Sequence, residues 1–139
     1  MKSFLLKIIT PEGIALEETV LSVTLPVQDG EVTILPEHIP YIAALKAGEM
    51  VFQAIKSESA TVLVVSGGFV EFHDNTLVVL ADTTEHVDAI DIARAQDARK
   101  RAEMLMKQTK QSDSADYARV IASLEKQLTR IRIARKYRK

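Results

Sequence analysis

Residues 88–95 read DAIDIARA, which places a carboxylate at Asp91 and a guanidinium at Arg94 within one turn of a helix start. An Asp-x-x-Arg-Ala sequence there has two readings. Asp91 and Arg94 can be an ordinary i, i+3 pair at a helix N-terminus, or they can belong to a binding site. Asp88 suits the N-cap, and Asp91 at the third helical position complements the helix dipole. A second concentration of charge follows Glu125, where Lys126, Arg130, Arg132, Arg135, Lys136, Arg138 and Lys139 run without an acid. Such a run is either a solvated tail or a surface for an acidic protein or a nucleic acid.

No other constellation supports catalysis. The chain has no Cys, which removes disulfides, thiolate metal sites and cysteine nucleophiles together. His38, His73 and His86 lie far apart and lack metal-ligand spacing. There is no GxxxxGK[ST] phosphate loop and no GxSxG elbow, and no pair of carboxylates is set for acid–base work. SGGF at 66–69 reads as a tight turn after a strand in preference to a phosphate cradle. These residues point to a protein that binds and does not catalyse.

The elements that must hold these charges divide into two parts. Residues 1–88 carry four basic and thirteen acidic side chains, a net −9; residues 89–139 carry fourteen and six, a net +8, giving −1 for the chain of 139 residues. Every Pro and every Gly lies in the first part. Short β-branched runs recur there at intervals of about 8–12 residues, the spacing of a sandwich or barrel. They are 3–10, 19–26, 31–35, 41–46, 50–56, 61–66, 69–73 and 76–81, separated by the turn sequences PEG, QDG, KAG, SES, SGG and HDN. LSVTL alternates, which puts Leu21, Val23 and Leu25 on a core face. Pro36 and Pro40 bracket Glu37, His38 and Ile39 in a stiff, exposed loop.

From Asp88 the apolar period changes from 2 to 3.6. Ile92, Ala95, Ala98, Ala102 and Leu105 form one stripe; after a break at QTKQSDS (108–114), which Ser114 can cap, Tyr117, Val120, Ile121, Leu124, Leu128 and Ile131 form another. Helices of about 20 and 23 residues joined by a short polar loop make an antiparallel hairpin. The expected fold is a β sandwich over 1–87 followed by a C-terminal two-helix hairpin over 88–139. An Ala stripe holds two helices together weakly, so the hairpin must lean on the β domain or on another protein. The opening MKSFLLKIITPEG is too short an apolar run for a signal peptide, and no window approaches the roughly 20 residues of a membrane span. The expectation is a cytoplasmic protein that meets a membrane only through a partner. The acidic first part argues against nucleic acid, whose phosphates it would repel.

GEVTILPEHIP (30–40), SGGF (66–69) and VLAD (79–82), in that order, resemble the epsilon subunit of bacterial F-type ATP synthase, over essentially the whole chain. The family's first motif is similar, GELGILPGHxP, and this chain departs from it at Thr33 and Glu37, where the family usually has Gly. The resemblance implies a non-catalytic rotor component of the central stalk, peripheral on the cytoplasmic face of the bacterial plasma membrane, that couples proton translocation to ATP synthesis. Its sandwich would bind the gamma subunit and rest on the ring of c subunits, with Glu31 and His38 in the loop facing that ring. Its hairpin would lie folded or extend into the catalytic head, where it blocks ATP hydrolysis. Arg130, Arg132, Arg135 and Lys136 would then form a basic face toward acidic segments of the alpha and beta subunits. Some bacterial members bind ATP in the folded hairpin through an I(L)DxxRA motif, reproduced by Ile90, Asp91, Arg94 and Ala95. Glu85, Arg101 and Arg130 match further positions used there, and Lys126 stands where those members have Arg. No cofactor is implied beyond regulatory ATP. A free-standing ATP-sensing protein acting on another partner is the alternative.

Overall fold

The structure, a computed structural model, describes residues 2–109 and 114–137. Most of the expected polar break, at 110–113, and the terminal Arg138 and Lys139 therefore lie outside the described residues. The chain divides into two compact units, Met1–His86 and Val87–Lys139.

The first unit holds seven strands: β1 (Phe4–Thr10), β2 (Gly13–Val27), β3 (Gly30–Ile34), β4 (Tyr41–Leu45), β5 (Gly48–Ala54), β6 (Thr61–His73) and β7 (Thr76–His86). Two long strands organise it. β2 pairs with β1 along its first half and with β3 and β5 along its second. β6 pairs with β7 along its length, with β5 on its first half and with β4 on its second. A parallel β1–β7 pairing closes the sandwich. Inward residues of both layers, among them Leu6, Ile8, Val23, Leu25, Ile34, Met50, Val65, Phe72, Leu77 and Val79, form one continuous apolar core. Phe4 meets Phe72 edge-on at 5.6 Å inside it.

Two local expectations fail here for the same reason, a backbone irregularity inside a long strand. SGG does not turn the chain: residues 61–73 are one strand, kinked at Gly67 (φ 59°) and Gly68 (φ 119°). At Gly68 the β7 backbone approaches so closely that a Cβ would stand 1.8 Å from the Leu80 carbonyl oxygen, and at Gly67 a Cβ would meet Asp82 Oδ2 at 2.6 Å. SGGF and VLAD are thus parts of adjacent strands; the close approach requires Gly68, and the positive φ favours Gly at 67. In β2, Val23 and Leu25 face the core as the alternation requires. Leu21 does not, because the register slips between Val20 and Ser22 and Val20 fills the core position.

The second unit begins with a 3₁₀ turn at Val87–Ala89, then α1 (Ile92–Gln108) and α2 (Ser114–Tyr137). The cap is Asp91, not Asp88: Asp91 has extended dihedrals, and its Oδ1 accepts from the Arg94 N–H at 3.1 Å. The helix therefore starts about one turn later than its sequence suggested. On α1 the buried stripe runs through Ala95 and Ala102 to half-buried Met106, leaving Leu105 exposed. On α2 it runs through half-buried Leu124 to buried Gln127, Ile131 and Ala134, leaving Leu128 exposed. Both choices keep an i+3/i+4 rhythm, so periodicity alone does not separate them.

Candidate functional site

An open cleft of about 520 Å³ lies in the hairpin, lined by Ala89, Asp91, Arg94, Asp97, Ala98, Arg101 and Arg130. The volume falls in the range of small-ligand sites. α1 contributes Arg94 and Arg101, two turns or about 10 Å apart along its axis, with Asp97 between them. α2 contributes Arg130 from its last turns, which the antiparallel arrangement brings opposite the start of α1. Ala89 and Ala98 are small and leave room for a ligand. The three guanidiniums outnumber the two carboxylates, and the positive end of the α1 dipole adds to them. Arg130 is oriented by Gln127, whose Oε1 accepts from Arg130 Nη1 at 2.7 Å. Planar guanidiniums converging from two helices suit a polyphosphate, which they can grip bidentately.

The structure thus brings together Asp91, Arg94, Arg101 and Arg130. Of the other candidates in the same unit, none lines the cleft. Ile90 and Ala95 are buried packing residues. Lys126 is half-buried one turn before Arg130 and does not line the cleft. Glu85 belongs to the first unit, on β7 opposite Val64. Asp91 serves as the helix cap, so its carboxylate is already engaged with the Arg94 N–H. Sequence reasoning missed Ala89, Asp97, Ala98 and Gln127. The i+3 and i+4 spacing of Asp97 from Arg94 and Arg101 signalled its place.

The four cations expected on one basic face divide between two. At about 100° per residue, Arg132, Arg135 and Lys136 cluster within roughly 100° of arc, and Arg130 lies about 120–160° from them. All three are exposed, and Lys136 Nζ sits 5.2 Å from the Tyr137 ring centre. Arg130 faces the cleft and belongs to it.

In the first unit, the loop after β3 is a turn in which the His38 N–H donates to the Leu35 carbonyl at 3.1 Å. Pro36 at its second position and Glu37 at its third, with φ 65°, give it a type II signature. The third position of such a turn favours Gly, which accounts for the residue the resembling family has there. Here Glu37 is held instead by neighbours. Its N–H donates to Asn75 Oδ1 at 2.9 Å, and its carboxylate meets Lys2 Nζ at 2.8 Å. That hydrogen bond, and next the Glu37 charge, raise the Lys2 ammonium above its ordinary 10.5. His38 is half-buried, its Nδ1 bonded to the Ile39 carbonyl at 2.7 Å and its ring edge-on to Tyr41 and Phe72. The loop presents Ile39, 74% exposed, to solvent together with Leu35 and Glu37. Glu31 is not in this loop: it is the second residue of β3, next to the β2–β3 turn and opposite Pro26. Thr33, the other departure, bonds across strands to the Thr24 hydroxyl at 2.9 Å.

The sandwich also carries an apolar row on its outer surface. The strand registers place Ala44, Phe69, Leu80, Ile9 and Ile14 side by side across five strands. Phe69 at its middle is 59% exposed.

Comparison with known proteins matches both units. Residues 3–87 match the ATP synthase, Delta/Epsilon chain, beta-sandwich domain, and residues 88–135 match the corresponding long alpha-helix domain. The chain is 42% identical over 139 residues to the ATP synthase epsilon chain of Dehalococcoides mccartyi strain BAV1, covering 100% of this chain and 97% of that one. It is 40% identical over 132 residues to the epsilon chain of Nitratidesulfovibrio vulgaris strain DP4, with 95% and 96% covered. Among solved structures, a chain of the Euglena gracilis mitochondrial ATP synthase (OSCP/F1/c-ring) shares the fold, with a TM-score of 0.75 and 19% identity over 93% of this chain and 79% of that one.

Proposed function

The chain belongs to the ATP synthase delta/epsilon-chain family, and on that premise we propose that its β domain binds the gamma subunit and rests on the ring of c subunits while its hairpin regulates ATP hydrolysis. As an epsilon chain it is a non-catalytic subunit of the central stalk. The observation that carries this reading is the match of both family domains, in order, across residues 3–135. The apolar row through Phe69 and Leu80 supports a protein partner on the β domain, since exposed apolar rows mark such surfaces. The stiff loop with Ile39 at its tip supports contact with a membrane-embedded ring. No helix among the described residues is long and apolar enough to cross a membrane, and the proposed place is peripheral, at the cytoplasmic face of the bacterial plasma membrane.

Co-purification with the gamma subunit tests this reading. A chain that never associates with gamma would support a free-standing ATP sensor instead. Removal of residues 88–139 should leave a folded β domain that still binds gamma, because every residue of the sandwich core lies between Phe4 and Ala81. ATP hydrolysis by the complex should rise on that removal.

The hairpin cleft supports a regulatory role for ATP. Three guanidiniums on two helices form it only while the helices are folded against each other. A polyphosphate therefore favours the folded form by linkage, and the extended form would be the one that brakes hydrolysis. Calorimetry of the isolated chain at millimolar ATP tests this, with no heat as the contrary result.

A further inference from the structure

We propose that Gln127 is a positioning residue for the arginine cleft, a role that rests on the reading of that cleft as a polyphosphate site. Gln127 is 8% exposed and is the one buried polar side chain among the described residues. It occupies the same helical stripe as Ile131 and Ala134, both buried and apolar. The next residue, Leu128, is apolar and exposed. The helix thus buries an amide where a leucine stood one position away. Burying an amide is costly unless it is hydrogen-bonded, and a partner here is Arg130 Nη1 at 2.7 Å.

Gln127 does not line the cleft, whereas Arg130 does. Its effect on a ligand must therefore pass through the guanidinium. A long arginine side chain on a helix surface samples many rotamers, and a ligand that requires one of them must restrict the others. An acceptor fixed in the packed interior does that in advance, so less of the interaction energy goes into ordering. The ligand class follows from the fork it fixes, a polyphosphate such as that of a nucleoside triphosphate.

The test compares the full-length chain with Gln127→Met, Arg130→Ala and the double variant, titrated calorimetrically with ATP and with inorganic tripolyphosphate. Methionine keeps the length and the packing and removes the acceptor. Gln127→Met should weaken ATP binding about three- to tenfold at unchanged helix content, the worth of one hydrogen bond. In the Arg130→Ala background it should have no further effect, because nothing remains to be positioned. Equal affinity of wild type and Gln127→Met overturns the proposal, as does an equal loss in both backgrounds, which would mark a purely structural residue. Absence of heat from wild type with both ligands removes the polyphosphate site itself and this role with it. If Gln127→Met lowers helix content, Gln127→Leu, an equally strong helix former without an acceptor, makes the same comparison.

Discussion

The Glu37 backbone N–H donates to Asn75 Oδ1 at 2.9 Å, and the Nδ2 of the same Asn75 donates to the Ser3 carbonyl at 2.8 Å. One amide thereby joins the N-terminal segment, the loop after β3 and the β6–β7 hairpin turn. Asn75 itself has φ 55°, a conformation Asn tolerates better than most residues. Asn75→Ala should lose both bonds and strain the turn, costing about 1–2 kcal/mol. Asn75→Gly should cost less, because it loses the bonds but relieves the turn. Thermal denaturation gives the order; a glycine variant less stable than the alanine variant would contradict it.

The Lys2–Glu37 pair sets a pH dependence at the same loop. A cation whose folded value is raised contributes fully below its unfolded value and loses that contribution as pH rises through the folded one. Lys2 is raised above 10.5 by its hydrogen bond with Glu37 and then by that residue's charge. The pair should therefore persist unchanged from neutral to mildly alkaline pH and be lost above the ordinary lysine value. Both side chains are exposed, so its effect on stability should be small and fade with salt. The Glu37 amide resonance should shift in that alkaline window in wild type and not in Lys2→Met. Identical titrations in the two would show that the contact does not form.

Gly68→Ala should be among the most damaging single changes in the β domain. The added Cβ would stand 1.8 Å from the Leu80 carbonyl oxygen, and the residue would hold φ 119°. Relieving that overlap requires β6 and β7 to separate where Phe69 and Leu80 pair, and a cost above about 3 kcal/mol is expected. Gly13→Ala provides the comparison. Its φ of 122° is equally unfavourable, but nothing lies within 4 Å. A chemical denaturation curve for each separates strain from overlap, and equal losses would mean that the strand approach carries no weight.

The two-part organisation was legible because the apolar period changes at one place and because all Gly and Pro precede it. Strand positions and most turns followed from local chemistry, as at QDG and at HDN, where Asp74 and Asn75 both take positive φ. In the β domain, what failed was settled by contacts distant in sequence. Gly68 looked like a turn because its reason lies across the sheet at Leu80. Leu21 lost its core position to a register slip against β5. Asp88 and Asp91 are both competent caps, and the 3₁₀ turn at Val87–Ala89 decides between them. In the hairpin the arginines were legible and their support was not. A Gln beside a Leu reads as the exposed member of the pair, but it is Gln127 that shares the buried stripe with Leu124, Ile131 and Ala134.

The division of basic residues around α2 makes the last prediction separable. Arg130→Ala should weaken ATP binding to a level still measurable, since Arg94 and Arg101 remain in the cleft, and Arg94→Ala should abolish it. Combined replacement of Arg132, Arg135 and Lys136 by Ala should leave ATP binding intact and relieve inhibition of hydrolysis in the assembled complex. In one continuous helix Arg101 and Arg130 would stand about 44 Å apart, so the extended form has no cleft. With three guanidiniums lining an open cleft, a dissociation constant near 1 mM, about −4 kcal/mol, is expected. At a few millimolar ATP this biases the folded form by only about 1 kcal/mol, a several-fold shift in population. Calorimetry on the chain and hydrolysis assays on the complex read the two faces independently. If the triple variant lost ATP binding while Arg130→Ala kept it undiminished, the assignment of Arg130 to the cleft would be wrong.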